Sequence, residues 1–257
     1  MKLDKLSHLY GSLKIRLDIY LTEKEHVSDG IKIKYLFHPN KRSKALIVVF
    51  PACYENKAQY NYMRTLSSFK CNKLFLLDDF GTNHQGCYLV EDQVEKCCLN
   101  LIQSIINRLN GSLDKVFLVG GSKGGYSAIN FGLRIPDTIV IAGGPQYYLG
   151  RYLDKENTIP NLEFLLHGTI NELGIKYLDY RLKNLLYTST IKPNKIYLHF
   201  SDKEHTYEEH VRDLLTDVSS AGIPVITDVL DYKSHSDLAT FFPLYLSKIL
   251  KQELGYL

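Results

Sequence analysis

The chain alternates two kinds of hydrophobic pattern. Short continuous runs of apolar, often β-branched residues are separated by longer segments with a helical period. Continuous apolar runs are typical of parallel strands buried on both faces, and the periodic segments are typical of helices that cover such a sheet. The predicted central strands are Ala45 to Phe50, Leu74 to Leu77, Val116 to Val119, Thr138 to Ala142, Ile196 to Phe200 and Val225 to Leu230.

Two segments near the start of the chain show a different pattern, in which apolar and polar residues alternate. These are residues 12–20 and 31–38, and the polar turn 28–30 precedes the second. Such alternation is typical of antiparallel edge strands with one exposed face. We therefore expect a mainly parallel sheet with an antiparallel edge and helices on both faces. The predicted helices are 90–109, 123–133, 206–221 and 236–253.

Residues 147–192 interrupt this rhythm because they lack a strong strand pattern and are rich in tyrosine. We expect a helical insertion that caps the functional site, within a single domain of residues 1–257. Its tyrosines either pack the cap onto the core or face a substrate. Tyr147 and Tyr148 are the candidates for substrate contact.

Composition narrows the class of protein. With 257 residues, 45% apolar and 23% charged, the chain suits one large soluble α/β domain. The net charge is +3 and the basic residues are dispersed, which argues against nucleic acid as a partner. Five cysteines without metal-ligand spacing predict reduced thiols and no metal site. The sequence shows neither a signal-peptide pattern nor an 18-residue apolar run, so we expect a cytoplasmic protein without a transmembrane segment.

A glycine-rich motif lies between a predicted strand and a predicted helix. Residues 120–124 read Gly-Gly-Ser-Lys-Gly, which matches Gly-x-Ser-x-Gly. In a nucleophile elbow these glycines clear space around a tight turn that exposes the serine. The motif and the strand pattern together predict an α/β-hydrolase fold with Ser122 as nucleophile. Phosphate binding is an alternative for a glycine-rich turn, but the spacing of phosphate-binding loops is missing.

The same motif predicts where negative charge is stabilised. The backbone N–H of Lys123, at the start of a helix, is the first expected oxyanion donor. A second donor is expected from the loop after the strand that ends at Phe50, from the backbone of Ala52 or Cys53.

An acid and a histidine should follow the serine in the chain, after later strands. Asp202 directly follows the strand that ends at Phe200, and His235 lies in the loop after the strand that ends at Leu230. We assign His235 as general base and Asp202 as the acid that orients it. The alternatives are His205 as base and Asp78, Asp79, Asp228 or Asp231 as acid. His84, in a polar loop at the same edge of the sheet, is a further candidate for substrate contact.

Three motifs carry a resemblance to a known family. These are Gly-Gly-Ser-Lys-Gly-Gly at 120–125, Ser-Asp at 201–202 and Ser-His-Ser-Asp at 234–237. From Ala45 onward the chain resembles the α/β-hydrolase-type O-acetyltransferases of bacterial capsular polysaccharides. It is similar, more distantly, to the acetyltransferase component of accessory secretion systems. The chain departs from the family pattern at Gly121, where the family has serine, and at Ser234, where it has glycine.

The resemblance implies a transfer reaction. Ser122 would accept an acetyl group from acetyl-CoA as donor substrate, with no bound cofactor, and pass it to a polysaccharide hydroxyl. A homo-oligomer or an association with capsule assembly machinery would fit such an activity. Two other functions stay open: a serine esterase, thioesterase or peptidase that uses water, and a non-catalytic scaffold in a polysaccharide or secretion complex.

Overall fold

One sheet organises the molecule. The computed structural model describes residues 13–53, 57–109, 113–155 and 157–256. The first two strands run antiparallel at one edge and the others are parallel, so the predicted α/β-hydrolase architecture is confirmed. The strands are β1 (Glu23–Ser28), β2 (Ile31–His38), β3 (Ala45–Val49), β4 (Asn72–Leu76), β5 (Lys115–Gly121), β6 (Thr138–Gly143), β7 (Lys195–Phe200) and β8 (Val225–Val229), in the spatial order β1-β2-β4-β3-β5-β6-β7-β8.

The antiparallel edge differs from the prediction in one respect. The segment 12–20 was predicted as a strand, but residues 13–22 form a helix, α1; residue 12 lies outside the described residues. The strand that pairs with β2 is β1 instead. Asp29 and Gly30 join the two strands and have φ angles of 51° and 80°, which is the geometry of a tight hairpin turn.

Helices cover both faces of the sheet, as the pattern predicts. One apolar cluster packs α3 (Asp92–Arg108), α4 (Lys123–Gly132), α7 (Glu172–Thr188) and α8 (Arg212–Ser220) on one face, and a second packs α2 (Met63–Leu66) and α9 (Leu238–Leu254) on the other. In the described part of the chain no helix is long and apolar enough to cross a membrane. The other α-helices of the described residues are α5 (Leu149–Leu153) and α6 (Ile159–Leu165).

The last helix, α9, is fixed to the sheet at both ends. Near its start, Phe242 packs so closely on β6 that a Cβ on Gly143 would overlap its ring. Near its end, the buried carboxylate of Glu253 accepts hydrogen bonds from Tyr197 Oη at 2.5 Å, Lys195 Nζ at 2.9 Å and Lys115 Nζ at 3.0 Å. The start of α9 therefore holds a fixed position relative to the carboxyl ends of the strands.

We expect Glu253→Gln to lower the free energy of unfolding by about 2 to 3 kcal/mol near neutral pH. Burial pushes the pKa of Glu253 up, but the hydrogen bonds from Tyr197 and the two lysines outweigh it and hold the pKa at about 2. Because the folded pKa lies below the ordinary value of 4.5, this stabilisation is present above that value and is lost as the pH falls toward 2.

Urea unfolding of both proteins at about pH 7 and about pH 3 measures this difference. The gap between wild type and variant should be smaller at the lower pH. Glu172→Gln is the matched control, because Glu172 pairs with Lys176 on an exposed face of α7 and such pairs contribute about 0.5 kcal/mol. If the difference in free energy of unfolding between wild type and Glu253→Gln does not change with pH, the lowered pKa of Glu253 is contradicted.

Candidate active site

Ser122 lies at the sharp turn between β5 and α4. Its backbone has φ 53° and ψ −121°, a left-handed conformation that costs energy for a residue with a side chain. The Ser122 N–H donates to the carbonyl of Gly143 at 2.7 Å, which fixes the turn. A Cβ on Gly124 would lie 2.5 Å from the Phe50 oxygen. The glycine of the motif thus lets α4 approach β3 closely.

His235 approaches the serine from the turn that precedes α9. Its Nε2 lies 2.8 Å from Ser122 Oγ, within reach for proton transfer. The turn is held by a capping box, in which Ser234 Oγ accepts the Ser236 N–H and the Asp237 carboxylate accepts the Ser234 N–H. The structure therefore brings together the two side chains that the sequence assigned as nucleophile and base.

The acid predicted from the sequence is wrong, because Glu204 occupies the expected place of Asp202. The Nδ1 atom of His235 lies 3.3 Å from Glu204 Oε2 and 3.4 Å from Oε1. Asp202 instead points outward, with a side chain 43% exposed, and pairs with Lys203 at 3.4 Å. The prediction chose the correct loop and the wrong carboxylate within it.

A buried serine explains which carboxylate turns inward. Ser201 Oγ donates to the carbonyl of Tyr232 at 2.6 Å and accepts the Lys203 N–H at 3.0 Å. The first contact ties the loop after β7 to the loop that carries His235. The second bends the chain after Ser201, so that position 202 faces solvent and Glu204 faces the histidine.

The environment of Glu204 keeps its carboxylate charged. Burial alone would raise its pKa, but hydrogen bonds from His235 and Thr206 and the charge of His235 leave the pKa below the ordinary 4.5. The side chain is fully buried. Thr206 Oγ1 donates to the same carboxylate. A buried, ionised carboxylate beside Nδ1 fixes the imidazole tautomer and stabilises an imidazolium.

Gln146 is a site residue that the sequence analysis missed. Its Nε2 lies 2.9 Å from Ser122 Oγ and 3.5 Å from His235 Nε2. The side chain is completely buried. No motif includes it. The one available signal was its position three residues beyond β6, at the edge of the sheet where such sites form.

The predicted oxyanion donors have different surroundings. Lys123 is the first residue of α4, where a backbone N–H has no acceptor within its own helix. The N–H of Ala52 donates to Asn61 Oδ1 at 3.0 Å, so it already has an acceptor in this structure, and its role stays a prediction. Cys53 lies in the wall of the cavity beside Ser122, and its role stays a prediction.

The side chain of Lys123 points away from the cavity into the protein. Its Nζ lies 2.8 Å from Asp78 Oδ2, and both side chains are almost fully buried. The same ammonium donates to the Gln85 carbonyl at 3.1 Å, while Asp78 accepts the Cys87 N–H at 2.9 Å. This buried ion pair attaches the loop after β4 to the helix that follows the nucleophile.

A cavity of about 790 Å³ opens beside Ser122 and His235. That volume lies within the usual range for ligand sites. Its walls come from α1, residues 52–53 and 59–65, the elbow and the start of α9. Among the described residues, no group of three or more His, Cys, Asp or Glu side chains is placed to hold a metal ion.

The three predicted substrate contacts lie outside the described wall of this cavity, and their role stays a prediction. The Tyr147 hydroxyl donates to Asp217 at 2.6 Å and the Tyr148 hydroxyl to Asp213 at 2.7 Å. Both contacts fix the insertion to α8. His84 is exposed, and its Nδ1 contacts the carbonyl of Asp79.

The insertion itself is helical, as expected, and contains α5, α6 and α7, but its position differs from a lid. Its apolar residues join the core cluster on the α3 and α4 face of the sheet. None of the cavity-lining residues just described comes from 147–192. Tyr147 is buried in this cluster and Tyr148 and Tyr152 pack partly buried against it, whereas Tyr177, Tyr180 and Tyr187 are about half exposed.

The sheet, the elbow and the contacts of Ser122 define an α/β-hydrolase fold, and comparisons with solved structures agree. The sequence matches no protein-family model and no curated protein. The structure is similar to the capsule O-acetyltransferase of Neisseria meningitidis serogroup A, with a TM-score of 0.74 at 22% identity over 88% of this chain and 94% of that one. A histidine-to-alanine mutant of that enzyme was solved in complex with CoA.

Two other similar structures are of different proteins. The glycosylation-associated protein complex Gap123 of Streptococcus agalactiae has a TM-score of 0.73 at 17% identity, over 91% of this chain and 47% of that one. FphF, a fluorophosphonate-binding serine hydrolase of Staphylococcus aureus, has a TM-score of 0.61 at 14% identity, over 90% and 96%. At these identities the likeness establishes the fold, and the function must be argued from the site.

Proposed function

We propose that this protein is a serine-dependent O-acetyltransferase that moves an acetyl group from acetyl-CoA to a hydroxyl of a bacterial polysaccharide. The observation that carries the proposal is the line of contacts from Ser122 Oγ through His235 to the buried carboxylate of Glu204. Such a line activates a hydroxyl for nucleophilic attack. The triad is therefore proposed as Ser122, His235 and Glu204.

In the first half-reaction, His235 Nε2 takes the proton of Ser122 as Oγ attacks the thioester carbonyl. The resulting oxyanion is stabilised by backbone N–H groups, for which Lys123 and Cys53 are the proposed donors. Collapse of this intermediate breaks the carbon–sulfur bond. The CoA thiolate leaves and takes the proton from His235, and an acetyl ester remains on Ser122.

In the second half-reaction, a hydroxyl of the acceptor gives its proton to His235 and attacks the acetyl ester. Collapse of the second intermediate releases the acetylated acceptor, and Ser122 recovers its proton. The likeness to a capsule O-acetyltransferase supports transfer to a glycan, and the CoA complex of that enzyme supports a CoA-linked donor. Both concern relatives of low identity, so the acceptor is part of the proposal.

Hydrolysis is the second candidate function. The triad geometry would serve water as well as a sugar hydroxyl, and a serine hydrolase is among the similar structures. The described cavity wall also contains none of the tyrosines of residues 147–192. Choice of acceptor must therefore come from the cavity wall around α2 and the start of α9.

The test is release of CoA thiol from acetyl-CoA by wild type and Ser122→Ala, with and without a panel of capsular polysaccharides. Release that one polymer stimulates, together with acetyl ester on that polymer and loss of both in the variant, is the expected result. Polymer-independent release that needs Ser122 would replace the proposal by a thioesterase. A wild type that neither releases thiol nor reacts with a fluorophosphonate would favour a scaffold.

A further inference from the structure

Gln146 contacts Ser122 and His235 from the loop that follows β6. It follows β6 through Gly144 and Pro145. The Gly144 N–H donates to the His199 carbonyl at 2.8 Å, and Gly144 has φ +44°. A Cβ on this glycine would lie 3.4 Å from both Glu204 Oε1 and His235 Cε1. The loop therefore packs directly behind the acid and the base, and it holds the Gln146 side chain in a fixed place.

The hydrogen bond from Gln146 to Ser122 limits the direction in which the serine hydroxyl can point its hydrogen. Ser122 Oγ has one hydrogen to donate, and the Gln146 amide nitrogen only donates. When Nε2 donates to Oγ across 2.9 Å, the serine hydrogen is left for His235 Nε2 at 2.8 Å. The reverse orientation of the amide would place Oε1 against Oγ, where it would compete with His235 for the same hydrogen.

Burial of the Gln146 amide lowers the stability of the fold, whereas an apolar packing residue in its place would not. Gln146 is 0% exposed, and its Oε1 has no hydrogen-bond partner among the described residues. A buried polar atom without a partner destabilises the fold by about 1 to 3 kcal/mol. An apolar side chain of the same length would avoid this cost. A polar group retained at such a cost beside a nucleophile suggests a functional contribution.

We propose that Gln146 is a catalytic residue that orients the Ser122 hydroxyl toward His235 and stabilises Oγ as it loses its proton. This inference rests on the proposed triad and extends it by one donor. A hydrogen bond to an oxygen that gains negative charge is stronger than one to a neutral hydroxyl, so the contact contributes more in the transition state than in the resting enzyme.

The test measures the rate at which a fluorophosphonate inactivates Ser122, because this probe needs neither the donor nor the acceptor. Gln146→Met keeps length and removes the donor, and we expect labelling to slow about 10- to 100-fold. Gln146→Glu is nearly isosteric and donates only when its carboxyl is protonated. Its rate relative to wild type should therefore rise as the pH falls, while the ratio for the methionine variant should stay constant.

The controls separate three outcomes. Gln103→Met, on an exposed position of α3, should label at the wild-type rate, and circular dichroism confirms that each variant is folded. A methionine variant that labels as fast as wild type would overturn the role of Gln146. Equal slowing of both variants at every pH would indicate packing alone and would also overturn it. A wild type that never labels at Ser122 would instead overturn the proposed triad.

Discussion

Replacing Glu204 by glutamine should slow fluorophosphonate labelling of Ser122 by about 10³- to 10⁴-fold, whereas Asp202→Asn should leave the rate within about twofold. The glutamine keeps the size of the side chain and removes the charge beside His235 Nδ1. A neutral amide can also hold the imidazole in the wrong tautomer, with its proton on Nε2. His235 could then not accept the serine proton.

The two variants form a matched pair because each neutralises one carboxylate in the same loop. Glu204 is buried and faces His235, while Asp202 is 43% exposed and pairs with Lys203. Turnover of acetyl-CoA should follow the labelling rates if the proposed donor is right. A large loss in Asp202→Asn with little change in Glu204→Gln would return the acid to the position that the sequence suggested.

Replacing Gly120 by alanine should lower the free energy of unfolding by about 3 kcal/mol or more. Its Cβ would overlap the Gly124 carbonyl group and would lie 2.8 Å from the Gly124 Cα. Both are backbone atoms, so no side chain can rotate out of the way. Relief would require α4 to move away from β5, which would also displace Ser122 from His235.

Urea unfolding at neutral pH measures the loss of stability in this variant. Gly222→Ala is the control, since Gly222 has φ +74° and open space around the missing Cβ. It should cost about 1 kcal/mol, from backbone conformation alone. Folded Gly120→Ala protein, if any is recovered, should label far more slowly than wild type. A Gly120→Ala protein with wild-type stability would mean that the elbow is looser than the structure shows.

The central strands were predictable because buried parallel strands leave a simple trace in the sequence. All six predicted runs coincide with strands of the sheet, but β8 was wrongly predicted as a central buried strand: it lies at the edge, and its Ile226 and Val229 are 46% and 48% exposed. The failure at residues 12–20 shows the limit of such patterns. Leu13 and Leu17 alternate with charged residues as in a strand, yet they are 56% and 58% exposed on a helix. Alternation alone does not say whether a neighbouring strand is available to pair with.

The site residues that could be predicted are those whose place depends on where a strand ends. Ser122 and His235 follow strand ends, and parallel strands bring those ends to one edge of the sheet. The choice between Asp202 and Glu204 depends on a side-chain hydrogen bond of Ser201 that bends the loop. Gln146 depends on a buried rotamer. Neither feature leaves a periodic trace, so both became visible only in three dimensions.

The buried pair of Lys123 and Asp78 has a consequence for the evolution of this site. Loss of one partner would leave an uncompensated charge inside the protein at a cost of about 3 to 5 kcal/mol, whereas joint replacement by apolar residues can be neutral. Positions 78 and 123 should therefore change together among homologous sequences. The residue at position 123, directly after the nucleophile, would then change only together with the loop after β4.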